Sequence, residues 1–198
     1  MRIPILAALA AVLAACSGSS NGTIKVSITD APTDLANVSQ VLINYDELRV
    51  HDDAVTTSPA DAGTDAAADG VDGQGWIILC SEMRTIDLMA LTGGQFTPVC
   101  TQTLADGGSG DLGMLVPAGR ISQLRLHVVS ATLKFNDGSP DVNLTVPSGP
   151  QSGLKINVDR EVPAGAELDL KLDFNAASSI NKTGGGTYVL SPVLTVLP

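Results

Sequence analysis

The sequence contains two histidines, the side chains best suited to act as a general base, so a serine hydrolase of the usual kind would have to use one of them. A serine hydrolase needs a serine, a base and an orienting acid within reach of one another. His127 falls on the polar face of a predicted strand with Gln123 and Arg125, and His51 begins an acidic segment. The segment Pro147-Ser148-Gly149 lacks the Gly-x-Ser-x-Gly pattern of a nucleophile elbow. Surface histidines are therefore the favoured interpretation, and we predict no catalytic residue, with an unrecognised hydrolase as the alternative.

Clustered carboxylates offer a second chemistry, which is calcium binding. Asp65, Asp69 and Asp72 stand among alanines and glycines and would supply the hard oxygen ligands that Ca²⁺ prefers. The alternating Asp-x-Asp-x-Asp-Gly order of a calcium loop is missing, so the pattern favours an acidic low-complexity loop. We predict no cofactor, and a calcium-dependent carbohydrate-binding module remains an alternative function.

The few large aromatic side chains permit a sugar-binding platform. Trp76 is the only tryptophan, and Tyr45 and Tyr188 lie in predicted strands. A single tryptophan in a domain of this size more often fills the core, where its large apolar surface is buried. We therefore expect Trp76 in the core, with the platform as the alternative.

The N-terminus predicts an exported, lipid-anchored protein. An apolar run from Ile3 to Ala15 is typical of a signal peptide and is shorter than the roughly 20 residues that a membrane-spanning helix needs. Leu13-Ala14-Ala15-Cys16 resembles a bacterial lipobox, in which the cysteine is acylated and becomes the mature terminus; the alternative is an ordinary secretory signal. Ser17 after the cysteine favours the outer membrane. We expect Cys16 to attach the chain to that bilayer, on the periplasmic side or at the cell surface.

Export also places the remaining cysteines in an oxidising compartment. Cys80 and Cys100 form an even pair, which most simply makes one disulfide. Two cysteines twenty residues apart without a nearby histidine do not match the ligand spacing of a zinc site. We predict the disulfide and no metal at these residues.

The charge balance limits the partners. The chain has 11 basic and 21 acidic side chains and a net charge of −10, and the basic residues are spread singly along the sequence. Nucleic acid is disfavoured because phosphate binding needs clustered lysines and arginines. Beyond the bilayer, we expect an envelope polymer or another protein as the partner.

Apolar and polar residues alternate in most segments, which is the pattern of half-buried strands. Turn-forming residues separate these segments, and no window of similar length has a helical period. The pattern predicts an all-β fold, an antiparallel sandwich of the immunoglobulin-like or prealbumin-like kind. The predicted strands are 23–29, 40–50, 75–80, 85–90, 112–116, 121–135, 142–146, 154–158, 168–174 and 188–197.

The same signals divide the chain into three parts. Residues 1–15 are the predicted signal peptide, and residues 16–22 are the lipidated cysteine with a flexible Ser/Gly tether. Residues 23–198 form one predicted domain, into which residues 51–75, rich in Asp, Ala and Gly, are inserted as a long loop. This arrangement predicts a non-enzymatic binding or structural module held at the membrane.

Several short motifs together carry a family resemblance. They occur in a fixed order and cover the chain from Thr23 to Val196, although each is weak alone. The sequence resembles the bacterial lipoprotein family known as domain of unknown function 4382, and the resemblance implies an envelope β-sandwich without a known activity or cofactor. The Asp-rich insertion before Trp76 and the cysteine pair depart from the usual family pattern. The motifs are Asp30-Ala31-Pro32, Trp76, Ile86-Asp87-Leu88, Pro117-Ala118-Gly119, Gln123 with Arg125, Pro147-Ser148-Gly149, Ser152-Gly153-Leu154, Asp173-Phe174, Ser178-Ser179, and Tyr188 with Leu190 and Pro192.

Overall fold

The computed structural model describes residues 21–30, 35–53, 75–91, 93–103, 109–110, 113–147 and 153–198. Within these ranges the regular structure is almost entirely β, apart from a 3-10 helix at Leu88–Leu91 and one short α-helix, α1, at Ala176–Ser179. The strands are β1 Asn21–Thr29, β2 Val38–Asp52, β3 Trp76–Cys80, β4 Arg84–Asp87, β5 Thr97–Pro98, β6 Gln102–Thr103, β7 Ser109–Gly110, β8 Met114–Pro117, β9 Gly119–Phe135, β10 Val142–Leu144, β11 Leu154–Val162, β12 Glu167–Phe174, β13 Ile180–Lys182, β14 Tyr188–Leu190 and β15 Leu194–Val196.

The larger sheet has six strands and is built around the long antiparallel pair of β2 and β9. Strands β10, β9, β2 and β3 follow one another across the sheet, β11 also pairs with β9, and β4 also pairs with β2. Val41, Ile43 and Tyr45 on β2 are buried in the core, while Leu42 and Asn44 between them are less buried and lie on the opposite face. The period-two pattern of the sequence thus gives this sheet one apolar face and one polar face.

The smaller sheet has five strands, in the order β15, β12, β1 and β5, with β8 also paired to β1. Its central pair is parallel: β1 and β12 run side by side from Thr23 opposite Glu167 to Thr29 opposite Asp173. The other pairs of this sheet are antiparallel, as predicted, and the parallel β1–β12 pair, which the prediction did not include, makes the sheet mixed. Alternation of apolar and polar residues shows which face of a strand is buried. The same alternation occurs in parallel and antiparallel pairs, so the sequence pattern does not reveal a parallel neighbour.

The inner faces of the two sheets enclose one hydrophobic core, so the predicted all-β sandwich is confirmed. Buried residues of both sheets belong to a single cluster of contacting apolar side chains. In β1 and β12 the buried members of this cluster alternate with polar residues such as Lys25, Ser27, Asp169 and Lys171, as expected when a sheet buries one face. The largest fully buried side chains are Tyr45, Phe174, Ile24, Ile28, Leu48, Leu88, Ile121, Leu124, Leu133, Leu170, Leu172 and Leu190.

Three predicted strands end earlier than expected, and the one predicted at 142–146 stops at Leu144. The strand predicted at 85–90 stops at Asp87, whose Oδ1 accepts the Met89 N–H at 3.1 Å and caps the 3-10 helix that follows. The strand predicted at 188–197 is two strands, β14 and β15, separated by residues 191–193. Pro192 lies in this gap and has no N–H to donate to a sheet ladder.

Several predicted boundaries also shift. β1 begins at Asn21, inside the predicted tether, and β2 runs to Asp52, inside the predicted loop. Cys16, the signal peptide and residues 54–74 lie outside the described residues. Among the residues that are described, no helix is long and apolar enough to cross a membrane.

The predicted disulfide between Cys80 and Cys100 is confirmed, and its two Cα atoms are 5.8 Å apart. It joins the end of β3, in the larger sheet, to the segment after β5, in the smaller sheet. Next to it, the Tyr45 hydroxyl donates to the Val99 carbonyl at 2.8 Å. A covalent bond and a buried hydrogen bond therefore tie the two sheets together at one place.

Tyr45 makes the stability of the fold depend on pH in alkaline solution. Burial raises the pKa of Tyr45 from 10.0 to about 12, and the charge of Arg84 opposes this rise. Between pH 10 and pH 12 the unfolded chain loses a proton that the folded chain keeps, so we expect the free energy of unfolding to fall as pH rises, by up to about 1.4 kcal/mol per pH unit. Urea unfolding across this window measures the slope. Tyr45→Phe should flatten it, and an unchanged slope in this variant would contradict the assignment.

Candidate functional site

Four polar side chains lie on the face of the larger sheet that points away from the core, which we call its outer face. Arg49 and His51 on β2 flank the buried Val50, and Gln123 and Arg125 on β9 flank the buried Leu124. β2 and β9 are hydrogen-bonded neighbours, so these four side chains lie close together. The outer face of the larger sheet is therefore the candidate site.

Trp76 belongs to this face and not to the core. Its neighbour Ile77 is part of the core cluster, while Trp76 is not, and it lies opposite His51 across the β2–β3 pair. The Trp76 side chain is nevertheless only 8% exposed. The Arg125 guanidinium lies 4.0 Å from the ring centroid, and the His51 ring meets it edge-on at 4.9 Å. The predicted burial of Trp76 is confirmed, but Arg125 and His51 on the outer face contribute to it, and Trp76 lies outside the apolar cluster between the sheets.

The sugar platform formed by three aromatic residues is also absent. Tyr45 is 1% exposed and lies in the core, where its hydroxyl is hydrogen-bonded. Tyr188 lies on β14, near Phe135 and Lys182. Trp76 is covered by Arg125. The ring faces therefore do not make a common surface, and Trp76 acts as a support beneath Arg125.

Three basic side chains form a row across the outer face. Arg49 lies directly opposite Arg125, and Arg125 lies directly opposite Lys155 on β11. We call these three residues the basic row. Like charges directly opposite each other on neighbouring strands destabilise a sheet, and this protein has only 11 basic residues against 21 acidic ones. The sequence spreads these residues singly, and only the strand register brings them together.

The members of the basic row differ in how their charge is balanced. Glu47 binds Arg49 through both carboxylate oxygens, with Oε2 3.0 Å from Nη2. Arg125 donates through Nε to the neutral Gln123 Oε1 at 3.1 Å. None of the ion pairs among the described residues involves Arg125 or Lys155. Two adjacent cations of the row are therefore left without a carboxylate partner from that part of the chain.

A shallow depression of about 310 Å³ lies beside the row. His51, Trp76, Ser122, Gln123 and Arg125 line it. Besides the indole of Trp76, these residues bring amide, hydroxyl, imidazole and guanidinium groups to its lining. Such a surface can hydrogen-bond a polar ligand and balance a negative charge, but it offers little exposed apolar area.

His51 does not have the geometry of a catalytic base. Its Nδ1 is 3.1 Å from both Asp53 Oδ1 and Ser122 Oγ, and Ser122 Oγ itself donates to Asp53 Oδ1 at 2.7 Å. In a catalytic triad the serine and the acid face different ring nitrogens, whereas here both face the same one. The Ser122 hydrogen bond is the largest influence that lowers the pKa of Asp53; partial burial opposes it, and His51 and Arg120 lower it further. The three residues form a compact structural cluster.

His127 is hydrogen-bonded to a carboxylate that the alternation pattern does not place beside it. Its Nδ1 makes a short hydrogen bond to the Asp46 carboxylate. Asp46 is the extra residue of an irregularity in β2, since Tyr45 pairs with Val128 and Glu47 with His127. The pair lines a depression of about 360 Å³ together with Ser81. A strict alternation pattern contains no signal for this bulge, so sequence analysis missed the contact.

The three aspartates considered as calcium ligands, and the serine considered as a nucleophile, fall in parts of the chain that the structure does not describe. Asp65, Asp69 and Asp72, and also Ser148, lie outside the described residues. Among those described, no group of three metal-ligating side chains is close enough to hold an ion. The calcium hypothesis therefore remains a prediction about residues that the structure does not describe.

Comparison with known proteins places the chain in a family. The sequence profile described as "Domain of unknown function (DUF4382)" matches residues 21–192. The chain belongs to the DUF4382 family. The matched residues include both sheets of the sandwich except β15. No curated protein and no solved structure matches this DUF4382 chain, so its function is argued from its own site.

Proposed function

We propose that this DUF4382 protein is an envelope lipoprotein, held at the outer membrane by Cys16, that acts as a non-enzymatic binding module. Its binding surface is the outer face of the larger sheet. The observation that carries the proposal is the pair of neighbouring cations, Arg125 and Lys155, for which the described residues supply no carboxylate. An acidic chain that places two such charges side by side gains stability when an anionic partner binds there.

The position of Arg125 supports a binding role. The Trp76 ring beneath it and the Gln123 side chain beside it hold the guanidinium in place. A side chain held in this way loses less conformational freedom when a ligand binds, which favours affinity. Cation–π contacts of this type contribute roughly 0.5–2 kcal/mol, so the arrangement is stable before any partner arrives.

The anchor is tested at the mature N-terminus. We expect mass spectrometry of the protein from an envelope fraction to find cleavage before Cys16 and acyl chains on that residue. Cys16→Ser should abolish acylation and release the protein into the soluble fraction, because a protein without acyl chains has lost the anchor that several of them provide. A Cys80→Ser/Cys100→Ser variant is the matched control and should remain acylated. A wild-type terminus with an unmodified Cys16 would contradict the anchor.

The binding surface is tested by co-sedimentation with protein-free envelope polymer from the producing cells. The mature chain with Cys16→Ser is suitable, because it keeps both sheets of the sandwich, which begin at Asn21, and lacks the acylated cysteine. We expect the Cys16→Ser chain with an otherwise unchanged surface to sediment with the polymer, and the same chain with Arg125→Ala to stay in the supernatant. Lys171→Ala, an exposed lysine on the smaller sheet, should have no effect. Equal retention of all variants would contradict a role for the outer face.

A second candidate function is hydrolysis, and one observation favours it. Asp46 is hydrogen-bonded to His127 Nδ1, which is how an acid orients a catalytic base, and Ser81 lines the same depression. A serine hydrolase would be labelled by a fluorophosphonate probe at Ser81. Labelling that is lost in both Ser81→Ala and His127→Ala would establish this function, and absence of labelling in the wild-type chain would exclude it.

A further inference from the structure

We propose that the basic row recognises a carboxylate-bearing saccharide, with a sugar carboxylate held by Arg125 and Lys155. This inference rests on the proposed binding function and names the chemistry of its ligand. The row is defined by the register of three strands, in which Arg49, Arg125 and Lys155 lie opposite one another.

The geometry of the row suits carboxylates. Neighbouring strands in a sheet are about 4.8 Å apart, so the row presents a positive group at each step across three strands. A guanidinium presents a planar fork of N–H donors that matches a carboxylate, and Arg125 uses only its Nε toward Gln123. Lys155 is exposed on β11 and adds a second cation beside the fork.

The groups around the row suit sugar hydroxyls. Gln123 and Asn157 lie opposite each other on β9 and β11, next to the pair formed by Arg125 and Lys155, and their side-chain amides are 3.5 Å apart. A side-chain amide both donates and accepts hydrogen bonds, as a hydroxyl group requires. Ser122 adds a hydroxyl in the same depression. A charged binding spot is therefore bordered by neutral polar groups.

Other anionic partners fit this surface less well. Protein interfaces depend on aromatic or aliphatic anchors that are inserted into pockets, and Trp76, the large aromatic of this face, is 8% exposed. A nucleic acid would extend beyond the row and meet a protein of net charge −10. A short acidic saccharide avoids that repulsion, since charges more than about 8 Å away are screened at physiological salt.

The test uses tetragalacturonate as the probe and its fully methyl-esterified form as the matched neutral control. Trp76 is the only tryptophan and lies beneath Arg125, so a ligand that engages Arg125 changes the tryptophan emission. We expect saturable binding of tetragalacturonate by the mature Cys16→Ser chain and at least about tenfold weaker binding of the ester, because the charge-assisted hydrogen bonds are lost.

Substitutions locate the binding on the row. Arg125→Ala should weaken tetragalacturonate binding at least about tenfold, and Arg125→Lys should weaken it less, because the charge remains while the fork is lost. Lys155→Ala should weaken it about twofold to fivefold, and its matched control Lys171→Ala should leave it unchanged. Thermal unfolding of each variant separates loss of binding from loss of fold.

The outcomes separate this inference from the proposed function. Equal binding of the ester, or full affinity in Arg125→Ala, would overturn recognition of a carboxylate by the row. Tighter binding of glucose 6-phosphate than of galacturonate would assign the row to phosphate and overturn the saccharide carboxylate. If the chain with an unchanged surface still sediments with the envelope polymer and Arg125→Ala releases it, the proposed binding function stands while this ligand class fails; if even the chain with an unchanged surface does not sediment with the polymer, both fail.

Discussion

Phe174→Ala is expected to lower the free energy of unfolding by about 3–5 kcal/mol. Phe174 is the last residue of β12, and its side chain is 1% exposed and packs in the core. Removing the ring leaves a cavity between two sheets that are tied together by hydrogen bonding and by the Cys80–Cys100 bond, so the walls have little freedom to collapse. Urea unfolding, followed by far-ultraviolet circular dichroism, measures the change.

Phe96→Ala is the matched control for this prediction. Phe96 is 41% exposed, and its ring has Lys171 at 5.6 Å. Truncation there removes the same atoms without opening a cavity, so the loss should stay below about 1 kcal/mol. Equal losses in Phe174→Ala and Phe96→Ala would contradict the placement of the core between the sheets.

The second large effect is expected when the disulfide is removed. Cys80 and Cys100 are separated by 20 residues, and closing a loop of this length in the unfolded chain is worth about 3 kcal/mol in the chain-entropy treatment. The Cys80→Ser/Cys100→Ser variant should lose about this amount of stability. The measurement is urea unfolding of the oxidised wild-type chain and the double variant at equal concentration.

Reduction supplies the control for the disulfide. Wild-type protein unfolded in the presence of a thiol reductant should match the double variant, because both lack the same cross-link, while the reductant should not change the double variant. An oxidised wild-type chain no more stable than the double variant would show that the bond contributes nothing to the fold.

The fold could be predicted from the sequence where alternation is the deciding signal. Strands β1, β2, β9 and β12 bury one face each, and their apolar residues occur at every second position over most of their length. The direction of pairing could not be predicted, since the parallel contact of β1 with β12 joins distant segments and leaves no trace in the period. The end of β4 was missed because Asp87 acts as a cap, which alternation does not describe.

The candidate site was only partly predictable for a related reason. Histidines, tryptophan and arginines on a polar face could be identified one by one, but their grouping depends on register. Arg49, Arg125 and Lys155 are far apart in the sequence and meet only because β2, β9 and β11 pair as they do. Trp76 was expected in the core because its size favours burial. In the structure, Arg125 and His51 cover its ring on the outer face and help to bury it there.

The most direct test of the account is a ¹⁵N nuclear magnetic resonance titration of the mature Cys16→Ser chain with tetragalacturonate. We predict that the perturbed resonances are the amides around Arg49, Arg125 and Lys155 together with the single indole N–H of Trp76, and that the methyl ester perturbs none of them. Perturbations centred on the smaller sheet around Lys171 would contradict the claim that the outer face of the larger sheet is the binding surface, and no perturbation at any concentration of the acid would contradict recognition of a sugar carboxylate by the basic row.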